Sequence, residues 1–244
     1  MQDKAGYYAA PLSNAMKEYV KNIDNFNYFE YILFQGSKTL IEENSFYLRQ
    51  IEQENTSDKE ELNFVKGTKR KSKFFMPFVR QQVFIFHVHL FEYFLLNIIR
   101  EIYQRENRAL KSCSKMMKIS DVALALEENR LLDAVIDTEL SEIRNGSYRD
   151  LVDYFKKHFG IDLAKSGISD NKIIEIFQLR HVIVHNNGII DREFKNKVKN
   201  KKYVEGKKAY LSSGDFDRVR SILLRMARFI DSKCSTKYKL DSIS

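Results

Sequence analysis

Apolar residues recur at three- and four-residue steps through most of the chain, which is the period of an amphipathic helix. The stretch "MKEYVKNIDNFNYFEYILF", from Met16, spaces aromatics and aliphatics in this way and predicts a first helix. Gly36 and Ser37 then predict a break, after which "KTLIEENSFYLRQIEQEN" reads as a second helix. Thr56-Ser57-Asp58 ahead of "KEELNFV" looks like a helix start, with Glu60 or Glu61 placed to reach back to the cap. The basic polar stretch "KGTKRKSK", Lys66 to Lys73, predicts a loop and the best boundary between subdomains.

The most apolar segment follows, "FFMPFVRQQVFIFHVHLFEYFLLNIIREIY". Its length would allow it to cross a membrane, but Arg80, Gln81, Gln82, His87, His89, Glu92 and Asn97 interrupt it. Central charges are costly in lipid, so a long helix buried on most sides, at a subunit interface, fits better. Helices are then expected at 120–128, 129–144 and 147–159, with Asn145-Gly146-Ser147 ending one and capping the next. Ser169 or Asp170 caps "NKIIEIFQLRHVIVHNN", and Gly188 ends it. "IIDREFKNKVKNKKYVEGKKAYLSS" reads as basic and irregular, with a short hairpin across Glu205-Gly206. Ser213 is expected to cap the last helix, "GDFDRVRSILLRMARFIDSKC". The expectation is an all-α chain with one minor β-hairpin. It divides into a leader at 1–15, an N-terminal helical region at 16–72, a main helical domain at 73–234 and a tail at 235–244. The leader reading rests on Ser13-Asn14-Ala15-Met16, which resembles a cloning scar followed by a start methionine and equally fits chance.

Composition sharpens this picture in three ways. With 244 residues, 43% hydrophobic and including 18 Phe and 13 Tyr, the chain can bury a sizeable core. Only two prolines and nine glycines interrupt it. A net charge of +8 favours an acidic partner, nucleic acid first and an anionic membrane surface second, although basic proteins also stay soluble this way. The two cysteines, Cys113 and Cys234, are far apart, show no metal-ligand spacing and form no disulfide framework. That usage, and the lack of a basic-then-apolar N-terminus, predicts a reduced, cytoplasmic protein.

The chemistry concentrates in "RHVIVHNNG", Arg180 to Gly188. On a helix, His181 and His185 share a face, and Arg180 lies about 140° round from His185 and roughly 7.5 Å along the axis. A buried unpaired arginine is expensive, so Arg180 needs an acid, a surface position or an anion. A structural Arg–acid pair with histidines facing water is the plain reading. His-x-x-x-His can also chelate zinc, but Val182, Ile183 and Val184 between them offer neither a general base nor a third ligand.

"LRHVIVHNNGII" resembles the signature helix of the HEPN superfamily, in which an Arg is followed by four to six residues, the first usually polar, and then a His. Arg180, His181 and His185 match that pattern, and the form is close to the RiboL-PSP or Apea-like HEPN branches. The resemblance spans roughly residues 75–232, with "SYRDLVDYFKKHFG" upstream and a capped final helix downstream. It implies an α-helical bundle that dimerises, and an endoribonuclease needing no metal or other cofactor, of a toxin–antitoxin or anti-phage system. The implied partners are RNA, a second copy and a cognate antitoxin, and no membrane. It further implies that an acid on a neighbouring core helix orients the arginine. Glu92 is the candidate, with a local polar contact or solvent exposure as its alternative. Asn186 is a second supporting candidate.

The chemistry stands on its own as well. RNA brings its 2′-hydroxyl as nucleophile, and cleavage needs a base, an acid and a cation for the phosphorane. Histidine and arginine supply these groups. One chain offers a clamp and one well-placed histidine, and a two-fold dimer would double them. Lys195, Lys197, Lys199, Lys201 and Lys202 are candidate RNA-backbone contacts, as is the Lys66–Lys73 run; a solvated charge run is the plain alternative. Of the remaining histidines, His87 and His89 point to opposite sides of their helix, and His158 suits a helix C-terminus by its dipole.

Overall fold

The computed structural model describes residues 12–53, 59–113, 115–145 and 147–240. Eight α-helices carry the described chain: α1 (Asn14–Gln53), α2 (Lys59–Arg105), α3 (Ile119–Glu127), α4 (Leu131–Asn145), α5 (Tyr148–Phe159), α6 (Asp170–His185), α7 (Arg192–Lys197) and α8 (Ser213–Tyr238). Short 3-10 turns lie at Asn107–Ser112 and Leu163–Ser166. The described residues contain no strand, and the fold class is all-α.

α1 and α2 form an antiparallel hairpin. Ala15 N–H donates to Glu101, Tyr19 packs on Phe91 and Phe94, Phe26 stacks on Phe86, and Glu30 bonds His87, so ascending residues of α1 meet descending residues of α2. At 40 and 47 residues these helices extend roughly 60 and 70 Å. Two expected interruptions are absent. α1 continues through Gly36 and Ser37, and Ser37 is buried. A mid-helix glycine costs only about 1 kcal/mol, less than a long packed face returns. α2 likewise runs through Lys66–Lys73 and Pro77. Lys and Arg are good helix formers, so a polar run there need not be a loop. The boundary expected at 72/73 therefore falls inside a helix. The helix start expected at Thr56-Ser57-Asp58 lies outside the described residues.

The C-terminal half of α2 is the axis of the core. Phe84, Phe91, Phe94, Ile98, Ile99 and Ile102 are all fully buried there, and α1, α4, α6 and α8 pack round them. By length and composition Phe75–Arg105 could cross a membrane, and 56% of its most apolar window is buried inside the molecule. Much of the apolar surface expected to face a second subunit is thus covered by the chain itself. Phe75, Phe78, Phe86 and Tyr93 remain exposed on α2, as do Tyr28, Phe29, Tyr31 and Ile32 on α1.

Ser13, within the expected leader, is fully buried. Its hydroxyl accepts from Met16 N–H at 3.1 Å and donates to Asp231 on α8, so this segment is tied to the far end of the chain. α5 starts with a capping box, Ser147 N–H donating to Asp150 at 2.6 Å and Asp150 N–H to the Ser147 hydroxyl at 3.3 Å. α8 starts the same way from Ser212, one residue before the cap read from sequence, with Asp215 as its partner.

The expected hairpin across Glu205-Gly206 resolves differently. Those residues make a turn, but the pairing is with the exit of α6. Ile189 bridges Lys208, Ile190 N–H donates to Lys207 C=O at 3.0 Å, and Ala209 N–H donates to Gly188 C=O at 2.8 Å. This clip fixes the end of the motif helix. Gly188 sits at φ +76°, where a Cβ would also stand 2.5 Å from the Gln81 amide nitrogen on α2, so only glycine fits without displacement.

Candidate active site

α6 buries Ile173, Ile176, Leu179, Val182 and Ile183 against the core, and this face orients everything else on the helix. Arg180 emerges at the margin of the buried stripe, whereas His181 and His185 are exposed. The two imidazoles lie 4.7 Å apart, centre to centre, as a four-residue spacing requires. Val184 is exposed beside them.

Glu92, from the middle of α2, faces Arg180 with 3.7 Å between Oε2 and the guanidinium NH2 nitrogen. At that distance the contact is an ion pair and not a hydrogen bond. Among the described residues Arg180 makes no hydrogen bond, so its donors are available to a ligand. The side chains are 34% and 28% exposed, which places the pair at the wall of a cleft. Burial pushes the Glu92 carboxyl above its ordinary range, and the charges of Arg180 and His89 offset this only in part.

Arg180, His181, His185 and Glu92 line one cleft of about 550 Å³. Ser147, Tyr148, Gln178, Glu193 and Lys197 complete its polar wall. Gln178 falls on the same helical stripe as His181 and His185, at steps of three and four, so the spacing could have found it. Tyr148 is placed by the α5 cap, and its hydroxyl donates to Asp170 at 3.4 Å. Lys197 donates to Glu193 at 2.6 Å, and this bond, with the Lys197 charge, holds the Glu193 carboxyl below its ordinary range.

The remaining sequence candidates divide by role. Asn186 does not line the cleft; its amide donates to Ile189 C=O at 2.7 Å and stitches the turn after α6. Lys195 donates to the carbonyls of Asn200 (3.3 Å) and Tyr203 (2.8 Å), tying α7 to the following loop. Lys202 pairs with Asp215 at 2.6 Å. Lys199 and Lys201 are exposed and bond no other described residue. His87 is buried against Glu30 at 3.0 Å while His89 is exposed, on opposite sides of α2 as expected.

The arrangement can hold a phosphate against a guanidinium and place imidazoles beside it for proton transfer. Against family models, curated proteins and solved structures alike, the chain has no match.

Proposed function

We propose that the protein is a metal-independent endoribonuclease of a toxin–antitoxin or anti-phage system, acting in the cytoplasm as a homodimer of HEPN type. The observation that carries this reading is the convergence of Arg180, Glu92, His181 and His185 on one cleft. The Glu92 ion pair orients the arginine without occupying its hydrogen-bond donors.

In the proposed reaction the substrate 2′-oxygen loses its proton to an imidazole and attacks phosphorus. The P–O5′ bond breaks, and the departing 5′-oxygen takes a proton from a second imidazole. The products are a 2′,3′-cyclic phosphate and a free 5′-hydroxyl. Arg180 clamps the non-bridging oxygens as charge builds on them. His185 is the proposed proton-transfer residue. His181, or His185 of a second copy, is the second acid–base group.

The test incubates wild type and His185→Ala with total RNA in the presence of a chelator. His185→Ala should lose about 10²–10⁴ in cleavage rate. Its fold and RNA affinity should persist, because an exposed histidine at a helix end adds little stability. Arg180→Ala should lose rate and affinity together, and Arg180→Lys should rescue poorly, since the planar fork is gone. Equal cutting by wild type and His185→Ala, or cutting only when metal is restored, refutes the mechanism. No cutting by either protein, with RNA still bound, assigns the cleft to binding of RNA, nucleotide or a protein partner instead.

A further inference from the structure

A second polar cluster lies away from the arginine cleft and shares no residue with it. Cys113 follows the 3-10 turn after α2, Glu139 comes from α4, and His158 comes from the last turn of α5. One ligand atom from each, a thiol sulfur, a carboxylate oxygen and an imidazole nitrogen, lies within 4.8 Å of the other two. No sequence spacing announces this group; the fold assembles it from three segments.

Two features suit this group to binding a cation. First, Glu139 is only 3% exposed, and its Oε2 has no hydrogen-bond partner among the described residues. A buried carboxylate oxygen that accepts no hydrogen bond is costly, and a bound cation removes that cost. Second, the other carboxylate oxygen is fixed from outside. Tyr154 donates to Glu139 Oε1 at 3.1 Å, and Tyr103 bonds Tyr154 in turn. Tyr103 also contacts Cys113 Sγ at 3.5 Å, and the His158 ring stacks on Tyr154 at 4.3 Å. Two tyrosines thus orient all three ligands, as hydrogen-bonded supports do around metal sites.

We propose that Cys113, Glu139 and His158 bind one zinc(II) ion, through Sγ, Oε2 and an imidazole nitrogen, with water in the fourth position. A thiolate with an imidazole and a carboxylate is a ligand set that favours zinc over magnesium or calcium. On binding, the thiol proton leaves to buffer, and two anionic ligands neutralise the ion, which suits a largely buried site. Tetrahedral zinc with these bond lengths needs ligand atoms about 3.3–3.8 Å apart, so from separations within 4.8 Å the three side chains close by no more than about 1.5 Å, within reach of rotamer adjustment. The ion would fasten the connector after α2 to α4 and α5. One turn further along α4, Ile143 borders the cavity beside Arg180. Zinc here is structural, and removing it should lower the melting temperature while leaving RNA cleavage intact below that temperature.

The experiment strips the full chain with chelator and titrates it with zinc(II) and with cobalt(II) as a spectroscopic probe. One equivalent should bind, and the cobalt form should show a thiolate-to-metal charge-transfer band. Cys113→Ser should abolish the band, and Glu139→Gln or His158→Gln should weaken zinc binding at least about tenfold. Cys234→Ala should retain the band. If Cys113→Ser fails to fold, alkylation of wild-type Cys113, followed by peptide mapping, replaces it; zinc should slow that reaction at least about tenfold. No thiolate band in the wild type, a band that survives Cys113→Ser, or alkylation of Cys113 unaffected by zinc overturns the proposal.

Discussion

Glu92 carries two opposed demands at one side chain. It must stay ionised to hold Arg180, yet burial raises its pKa and the opposing charges of Arg180 and His89 do not fully restore it. A carboxyl that binds its proton more tightly in the folded chain makes the folded state less stable once ionised. That cost is present at neutral pH, shrinks as pH falls through the raised value, and is gone below the unfolded-chain value of about 4.3. Glu92→Gln, of the same shape and neutral, should therefore match or exceed wild type in melting temperature at pH 7. The difference should vanish by about pH 4. Cleavage at pH 7 should nonetheless fall, because the guanidinium loses its orienting charge. Thermal melts across pH, run beside the RNA assay, separate the two effects. Wild-type cleavage by Glu92→Gln would remove Glu92 from the site, and a lower melting temperature at pH 7 than at pH 4, relative to wild type, would reverse the assigned direction.

At the scale of elements, α7 and the loop after it look in sequence like one uniform basic patch. The fold divides that patch. Lys195 and Lys202 have their ammonium groups engaged, Lys197 pairs with Glu193 at the cleft, and Lys199 and Lys201 are unoccupied. Neutralising Lys199 and Lys201 together should weaken RNA binding and flatten its salt dependence by about one unit of slope per lost phosphate contact. Neutralising Lys202 should instead lower stability, since Asp215 loses a partner that helps hold its carboxyl below the ordinary range against the effect of burial. An unchanged salt slope in the Lys199/Lys201 variant would leave those lysines as a solvated face. The same division shows what local pattern can reveal. α3, α4, α5, α6 and α8 were legible because their apolar periodicity lies in the sequence itself, and the start of α5 also because Ser147 caps it as read. So was the histidine pair of the cleft, His181 with His185, whose four-residue spacing fixes a common face; Arg180, about 140° round the helix from His185, reaches the same cleft from the margin of the buried stripe. Glu92 was legible only through the family resemblance. The continuity of α1 through Gly36 was not legible, because a long packed face outweighs the local cost of one glycine, and that of α2 through Lys66–Lys73 was not, because a run of good helix formers also reads as a polar loop. Nor was the pairing of Ile189 with Lys208, or the meeting of Cys113, Glu139 and His158, since both join segments that only the fold brings together.

The whole molecule poses the question of the second copy. One chain presents one Arg180 and one pair of imidazoles in an open cleft, whereas cleavage by 2′-hydroxyl attack needs groups on both sides of the phosphate. A two-fold axis beside the cleft would bring a second set into place. The surface next to it is suited to burial. Phe29 on α1 and Phe86 and Tyr93 on α2 are exposed, and they line a cavity that meets the one beside Arg180 at His89 and Tyr93. Exposed aromatics grouped in this way are the usual anchors of protein interfaces. A stable interface buries about 800 Å² per partner, which a face running from Phe29 to Tyr93 along two long helices can supply. Light scattering at micromolar concentration should therefore give about twice the 28.8 kDa chain mass. Phe29→Asp with Tyr93→Asp places two charges on that face while leaving the Phe26–Phe86 stack between α1 and α2 in place, so it should yield a helical monomer. That monomer should bind RNA weakly and cleave it about 10²-fold or more slowly, as expected when half of an acid–base pair is lost. A wild-type monomer that cleaves at full rate, or a charged variant that is monomeric and fully active, would place the entire reaction within one cleft. His181 would then be the second acid–base group, and no histidine from a second copy would take part.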